Sequence, residues 1–149
     1  MGSIFSIAIL SAGASVLAAV AADNFLSQRI GVMGSFAGLQ YSLNPGVAFG
    51  ISFAPLLQLS LIAIALLAVV WMAYRSVRSA GSQSYKLQAI SYGLILGGGI
   101  ANIIDRLPDG LVTDFFQVGT FPIFNVADSF ITIGVVLLFW EVMRRKKPL

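Results

Sequence analysis

Two aspartates 14 residues apart, Asp114 in VTDFF and Asp128 in FPIFNVADSF, are the residues of this chain best suited to chemistry. There is no cysteine and no histidine, which excludes thiol nucleophiles, disulfides, Ser-His-Asp triads and histidine-based metal sites. Lys86, Lys146 and Lys147 lie far along the chain from most of the acids, which argues against a Ser–Lys dyad. Carboxylates remain. Two of them brought together at a water–lipid boundary cannot both ionise cheaply, so one keeps a proton. Such a pair can activate water with one member while the other polarises a carbonyl, the logic of aspartyl proteolysis. The intervening QVGTFPIF is short and turn-rich enough for the chain to double back. A plainer reading stands beside this one. Asn125 is a good helix N-cap, and an acid three residues on is favourable against the helix dipole. Spacing alone leaves both open.

A second polar cluster closes the stretch GGGIANIIDR. On a helix, Gly98, Asn102, Asp105 and Arg106 fall near one face, at separations of three and four. Gly97, Gly98, Gly99 and Ala101 allow close helix approach in lipid, and Asn102 can hydrogen-bond across the gap. This reads either as a packing face with a terminal Asp–Arg pair or as part of an interior site.

The elements that must position these residues follow from composition. The 149 residues are 58% hydrophobic and only 10% charged, with mean hydropathy +0.91, too apolar for the surface of a soluble domain. Residues 4–22, 56–74, 87–104 and 126–143 are each 18 or 19 residues long. At ~1.5 Å per residue each spans about one hydrocarbon core. The fold class is therefore a membrane all-α bundle of four transmembrane helices in one domain, residues 1–149, with a small β element. Arg75, Arg78, Lys86, Arg144, Arg145, Lys146 and Lys147, seven of the nine basic residues, fall on one side. The positive-inside rule makes that side cytoplasmic, with both termini there. Asp23, Asp105, Asp109, Asp114 and Asp128 map to the outer side and only Glu141 to the inner. The net charge of +3 is thus a topology signal, and no nucleic-acid partner is expected.

The outer segments are too apolar for solvated loops. Residues 39–44 alternate like a half-buried strand, Asn44-Pro45-Gly46 supplies a turn, and residues 47–51 form a candidate return strand. Pro108-Asp109-Gly110 is a second turn, followed by strand-like Leu111–Val118 carrying Asp114. The expected product is a small β element on the outer membrane surface. LAAVAAD holds an A-x-A pattern, but no basic region precedes it and cleavage would remove the first span. MGSIFS fits a myristoylation pattern, from which a four-span protein gains little.

Read together, four blocks resemble the lipoprotein signal peptidase (signal peptidase II) family of bacteria. NPGVAFG is similar to the family's N-x-G-x-A-F-G, GGGIANIIDR to G-G-x-x-x-N-x-I-D-R, VTDFF to V-x-D-F, and FPIFNVADSFI to F-P-x-F-N-x-A-D-x-x-I. They occur in family order, and the four-span topology agrees.

The resemblance implies an intramembrane aspartyl endopeptidase. It would cleave diacylglyceryl-modified prolipoproteins just before the lipidated cysteine, at the outer leaflet of the bacterial plasma membrane. The family's catalytic aspartates fall on Asp114 and Asp128, one as general base and one protonated. Asn44 and Gly46 match a block that lines the site, Asn102, Arg106 and Asn125 match polar positions around the pair, and Asp23 matches the acid ending the first span. Inhibition by globomycin-type cyclic peptides and a monomer embedded in lipid are the matching expectations. No cofactor or metal is expected, since Asp and Asn alone make a poor transition-metal site. Where the family often has lysine four residues after this acid, Ser27 stands at that offset from Asp23, and either Arg29 supplies the positive charge from elsewhere or the pairing is absent. The stretch between Asp114 and Asp128 is also short for the family, which bears on how substrate fits. Two other classes compete less well. A transporter or proton relay is disfavoured by acids gathered at the outer rim, and a non-catalytic binding homologue by the presence of both aspartates.

Overall fold

The computed structural model describes residues 1–46, 53–79 and 82–145. Among them are four helices long and apolar enough to cross a membrane: α1 (Gly2–Phe25), α2 (Pro55–Ser79), α3 (Ser82–Arg106) and α4 (Val126–Arg145). Each contains its expected span and runs beyond it, and in α1 and α3 polar side chains at the ends bond to the helix's own backbone. Asn24 Nδ2, for example, donates to Val20 O at 2.7 Å. α2 opens on Pro55, whose fixed φ and missing N–H suit a first helical position.

α3 is the axis of the bundle, packing against α1, α4 and α2. Its three consecutive glycines explain how. A Cβ on Gly97 would run into Ser11 and Ala8 of α1, on Gly98 into the Ala127 carbonyl at 2.5 Å, and on Gly99 into Leu66 of α2 at 2.5 Å. Successive residues turn by about 100°, so three bare positions in a row admit three neighbours from three directions. α2 touches little but α3, and Leu56, Ile64 and Leu67 on it are exposed. Leu10, Leu17 and Phe139 face outward on α1 and α4 in the same way. Such surface is tolerable in lipid, where no hydrophobic penalty attaches to it.

At one end of the bundle lies a three-stranded antiparallel sheet in the order β1-β2-β3: β1 (Ile30–Met33), β2 (Ala37–Asn44) and β3 (Val112–Val118). β2 and β3 are the expected strands, and β1 is an addition that the sequence pattern does not announce. The candidate return strand at 47–51 lies outside the described residues. Both expected turns form. Asn44 Oδ1 accepts from Gly46 N at 2.8 Å. In the other turn Leu111 N donates to Asp109 Oδ1 at 2.9 Å, and Gly110 sits at φ +84°. The last residues of α1 and α3 and the first of α2 and α4 sit at the sheet end. The start of α1 lies at the opposite end, where the Met1 amino group donates to Tyr85 Oη of α3 at 3.2 Å.

Candidate functional site

The site assembles where the C-terminus of α3, the N-terminus of α4 and the middle of β3 meet. β3 carries Asp114, which is only 2% exposed. Antiparallel pairing sets Asn44 of β2 against Val112. From there Asn44 Nδ2 donates to Asp114 Oδ2 at 2.8 Å. From the other side Asn125 Nδ2 donates to Asp114 Oδ1 at 2.9 Å. Asp128 lies half-buried in the first turn of α4. Its Oδ1 accepts from Asn102 Nδ2 at 2.9 Å and its Oδ2 from the Asn125 backbone N–H at 3.3 Å.

Asn125 is the hub of this arrangement. Its Oδ1 accepts the Asp128 N–H at 2.9 Å, so it caps α4 as its residue type suggests. Its Nδ2 is shared between Asp114 and Asn102 Oδ1, the latter at 3.2 Å. Asn102 in turn reaches Asp128, so the two carboxyls are joined through two amides. Cap and site are one structure.

Arg106 closes the rear. It is 9% exposed, donates from Nη1 to Asn102 O at 3.1 Å and from Nη2 to Gly46 O. Its buried Nε has no hydrogen-bond partner among the described residues. Arg106 faces both Asp114 and Asp128, and its charge favours the ionised form of Asp114. Burial is nevertheless the larger influence on Asp114. With the charge of Asp128 added, it pushes the Asp114 carboxyl up to about 6, against the lowering effect of Asn44, Arg106 and Asn125. A carboxyl in that position holds a proton well above the usual carboxylate range.

Asp23 stands apart from the pair. Its Oδ1 accepts from Thr113 Oγ1 at 3.0 Å, on the opposite face of β3 from Asp114. Tyr41 stands near the same carboxylate, and burial together with that acid raises its phenol from the ordinary value. Arg29 is engaged by other acceptors. It donates to Gly34 O, Ser35 O and Gln117 Oε1 at 2.8–3.1 Å, tying the β1–β2 turn to β3.

Two further residues support the site: Asp105, which the sequence singles out only within the polar cluster ending α3, and Thr113, which it does not single out. Asp105 Oδ2 accepts the Thr113 N–H at 2.7 Å. Together Asp105 and Asp23 therefore grip the residue next to Asp114. The available signal is the helical spacing of Asp105 from Asn102, but its partner lies on another element. A cavity of about 240 Å³ adjoins the site, with Ala19, Val20 and Ala101 on its walls and Asn102, Asp105 and Asn125 at its polar end. Among the described residues no three acid groups gather where a metal ion could be held.

Comparison with known proteins gives this geometry a context. Residues 7–144 match the family model described as signal peptidase (SPase) II. A lipoprotein signal peptidase of Moorella thermoacetica is 37% identical over 118 residues, covering 78% of this chain and 75% of the relative. One from Chlorobium luteolum is 42% identical over 127 residues, covering 76% and 72%. One from Desulforapulum autotrophicum is 33% identical over 153 residues, covering 94% and 90%. A solved bacterial membrane enzyme structure superposes with TM-score 0.84 at 26% identity, covering all of this chain and 94% of the other.

Proposed function

The chain belongs to the signal peptidase II family, the lipoprotein signal peptidases, and from that membership we propose that it removes the signal peptide from diacylglyceryl-modified prolipoproteins by aspartyl chemistry at Asp114 and Asp128. The observation that carries the mechanism is the joined pair: two carboxyls from different elements, bridged by Asn125 and Asn102, with one of them raised to about 6.

Asp128 acts as general base. It takes a proton from a water molecule whose oxygen attacks the scissile carbonyl carbon. Asp114, the more buried partner, starts protonated and gives its proton to the carbonyl oxygen as the tetrahedral diol forms. Collapse of the diol breaks the C–N bond. A diol proton returns to Asp114 and the proton held by Asp128 passes to the leaving amine of the lipidated cysteine, so both carboxyls regain their starting states. Asn44, Asn102, Asn125 and Arg106 hold the two carboxyls in place, with Gly46 anchoring Arg106. Asp23 acts at one remove through Thr113.

Orientation supports the same reading. Arg75, Arg78, Lys86 and Arg144 all lie on helix ends remote from the sheet. By the positive-inside rule that end is cytoplasmic, which sets both termini inside and the aspartates at the outer leaflet of the plasma membrane. The working unit is a monomer in lipid, open to inhibition by globomycin-type cyclic peptides.

The test is cleavage of a diacylglyceryl-modified prolipoprotein by purified wild type, Asp114→Asn and Asp128→Asn. Wild type is expected to cut, and both variants to remain folded with rates lower by several orders of magnitude. A variant that cuts nearly as fast as wild type would falsify the dyad.

A further inference from the structure

Ser42 is the residue of β2 directly opposite Asp114 in the antiparallel pairing. Opposed residues in such a pair project from the same face with Cβ atoms about 4.5–5.5 Å apart. Asn44, two residues further along β2, shares that face by strand alternation and does reach the Asp114 carboxylate. Ser42 is only half-buried. Unlike the amides around it, its hydroxyl makes no hydrogen bond with any described residue.

The neighbouring polar groups are already committed. Asn44, Asn102 and Asn125 each use both ends of their side-chain amides, and each Asp114 oxygen already accepts an amide N–H. Ser42 therefore carries a spare donor and a spare acceptor beside the pair. β1 and β3 already flank β2, so a peptide whose scissile carbonyl lies within reach of Asp114 crosses the sheet face that Asp114 and its cross-strand neighbour Ser42 share. Its backbone offers an N–H and a C=O at each residue, which match what the hydroxyl lacks.

On the proposed peptidase function, we infer that Ser42 is a substrate-contacting residue whose hydroxyl hydrogen-bonds the peptide backbone beside the scissile bond. The contact is with substrate and leaves the aspartates as they are. The charged groups facing Asp114 are Asp128 from α4 and Arg106 from α3, and Ser42 adds none.

The experiment compares wild type, Ser42→Ala and Asp114→Asn on one diacylglyceryl-modified peptide, with kcat/KM measured across pH and thermal unfolding measured in the same detergent. Ser42→Ala is expected to lose ~3- to 10-fold in kcat/KM, the worth of one neutral hydrogen bond. Its pH profile and unfolding midpoint should match wild type. Activity within twofold of wild type overturns the inference. So does a loss that comes with a displaced pH profile, which would mean Ser42 acts through Asp114, or with a lowered unfolding midpoint. Wild type and Asp114→Asn separate the two levels. If wild type cuts and Asp114→Asn does not, the peptidase reading stands whatever Ser42 does; if wild type fails to cut, both fall.

Discussion

The side chain of Asn125 donates to Asp114 Oδ1 at 2.9 Å while its own carbonyl oxygen caps the helix on which Asp128 sits. One residue thus ties a strand-borne acid to a helix-borne one. The cap and the bridge use different atoms, so they can be separated by substitution.

Asn125→Ser keeps a capping oxygen and removes the bridging amide. Its unfolding midpoint should stay near wild type while kcat falls at least tenfold. Asn125→Ala removes both and should cost about 1 kcal/mol of stability in addition. Equal kcat losses without any stability difference between the two variants would show that the cap contributes nothing.

The raised carboxyl of Asp114 gives the pH dependence a sign. A group needed in its protonated form supports activity below its pKa and loses it above. kcat/KM should therefore decline as pH rises through about 6, the value to which burial and Asp128 push Asp114. Bound substrate excludes water and buries the pair further, so the corresponding limb of kcat should lie at higher pH. Stability follows the same sign: the folded state holds this proton more tightly than the unfolded chain, so this contribution is full below about pH 4 and lost as pH rises through about 6. Steady-state profiles of both parameters check the first point and unfolding across that range the second. A kcat/KM flat from pH 5 to 8 would remove Asp114 as the proton donor.

Thr113 offers a test of how the strand is held. Asp105→Ala leaves a buried N–H without its acceptor, at a cost of about 1–3 kcal/mol. Because Thr113 adjoins Asp114, kcat should fall more than KM rises. A variant that loses stability but keeps kcat would confine Asp105 to a structural role.

Close approach of α3 and α4 can be tested without touching a polar group. A Cβ on Gly98 would stand 2.5 Å from the Ala127 carbonyl, whereas one on Gly13 meets nothing within 4 Å. Gly98→Ala should destabilise by about 1–3 kcal/mol and depress activity by moving Asn102 away from Asp128. Gly13→Ala, which removes glycine from a helix interior, should stabilise by ~0.5–1 kcal/mol with activity unchanged. Thermal unfolding and cleavage rates of the pair decide it.

Much of this architecture is legible in the amino-acid sequence. Apolar runs of membrane-crossing length locate all four helices, and the Asn125–Asp128 spacing announces the cap that the hydrogen bonds display. β1 is not legible, because its four residues are all exposed and show no alternation to mark a buried face. Nor is the bridge through Asn102, since nothing in either motif says that the end of α3 meets the start of α4. The partners of Arg29 are hidden for a related reason. A long cation near an acid in sequence has many carbonyls within its reach, and here three acceptors around the β1–β2 turn claim it.

The run Gly97-Gly98-Gly99 has a consequence for the angular precision of the site. A helix bare on one flank can still roll about its long axis until some contact stops it. A helix bare on three flanks, each filled by a different neighbour, cannot roll in either direction without driving its own side chains into a backbone or a leucine. Asn102 and Arg106 are one and two turns farther along than Gly98, so the heading of both is fixed by a spindle bearing set deeper in the bundle.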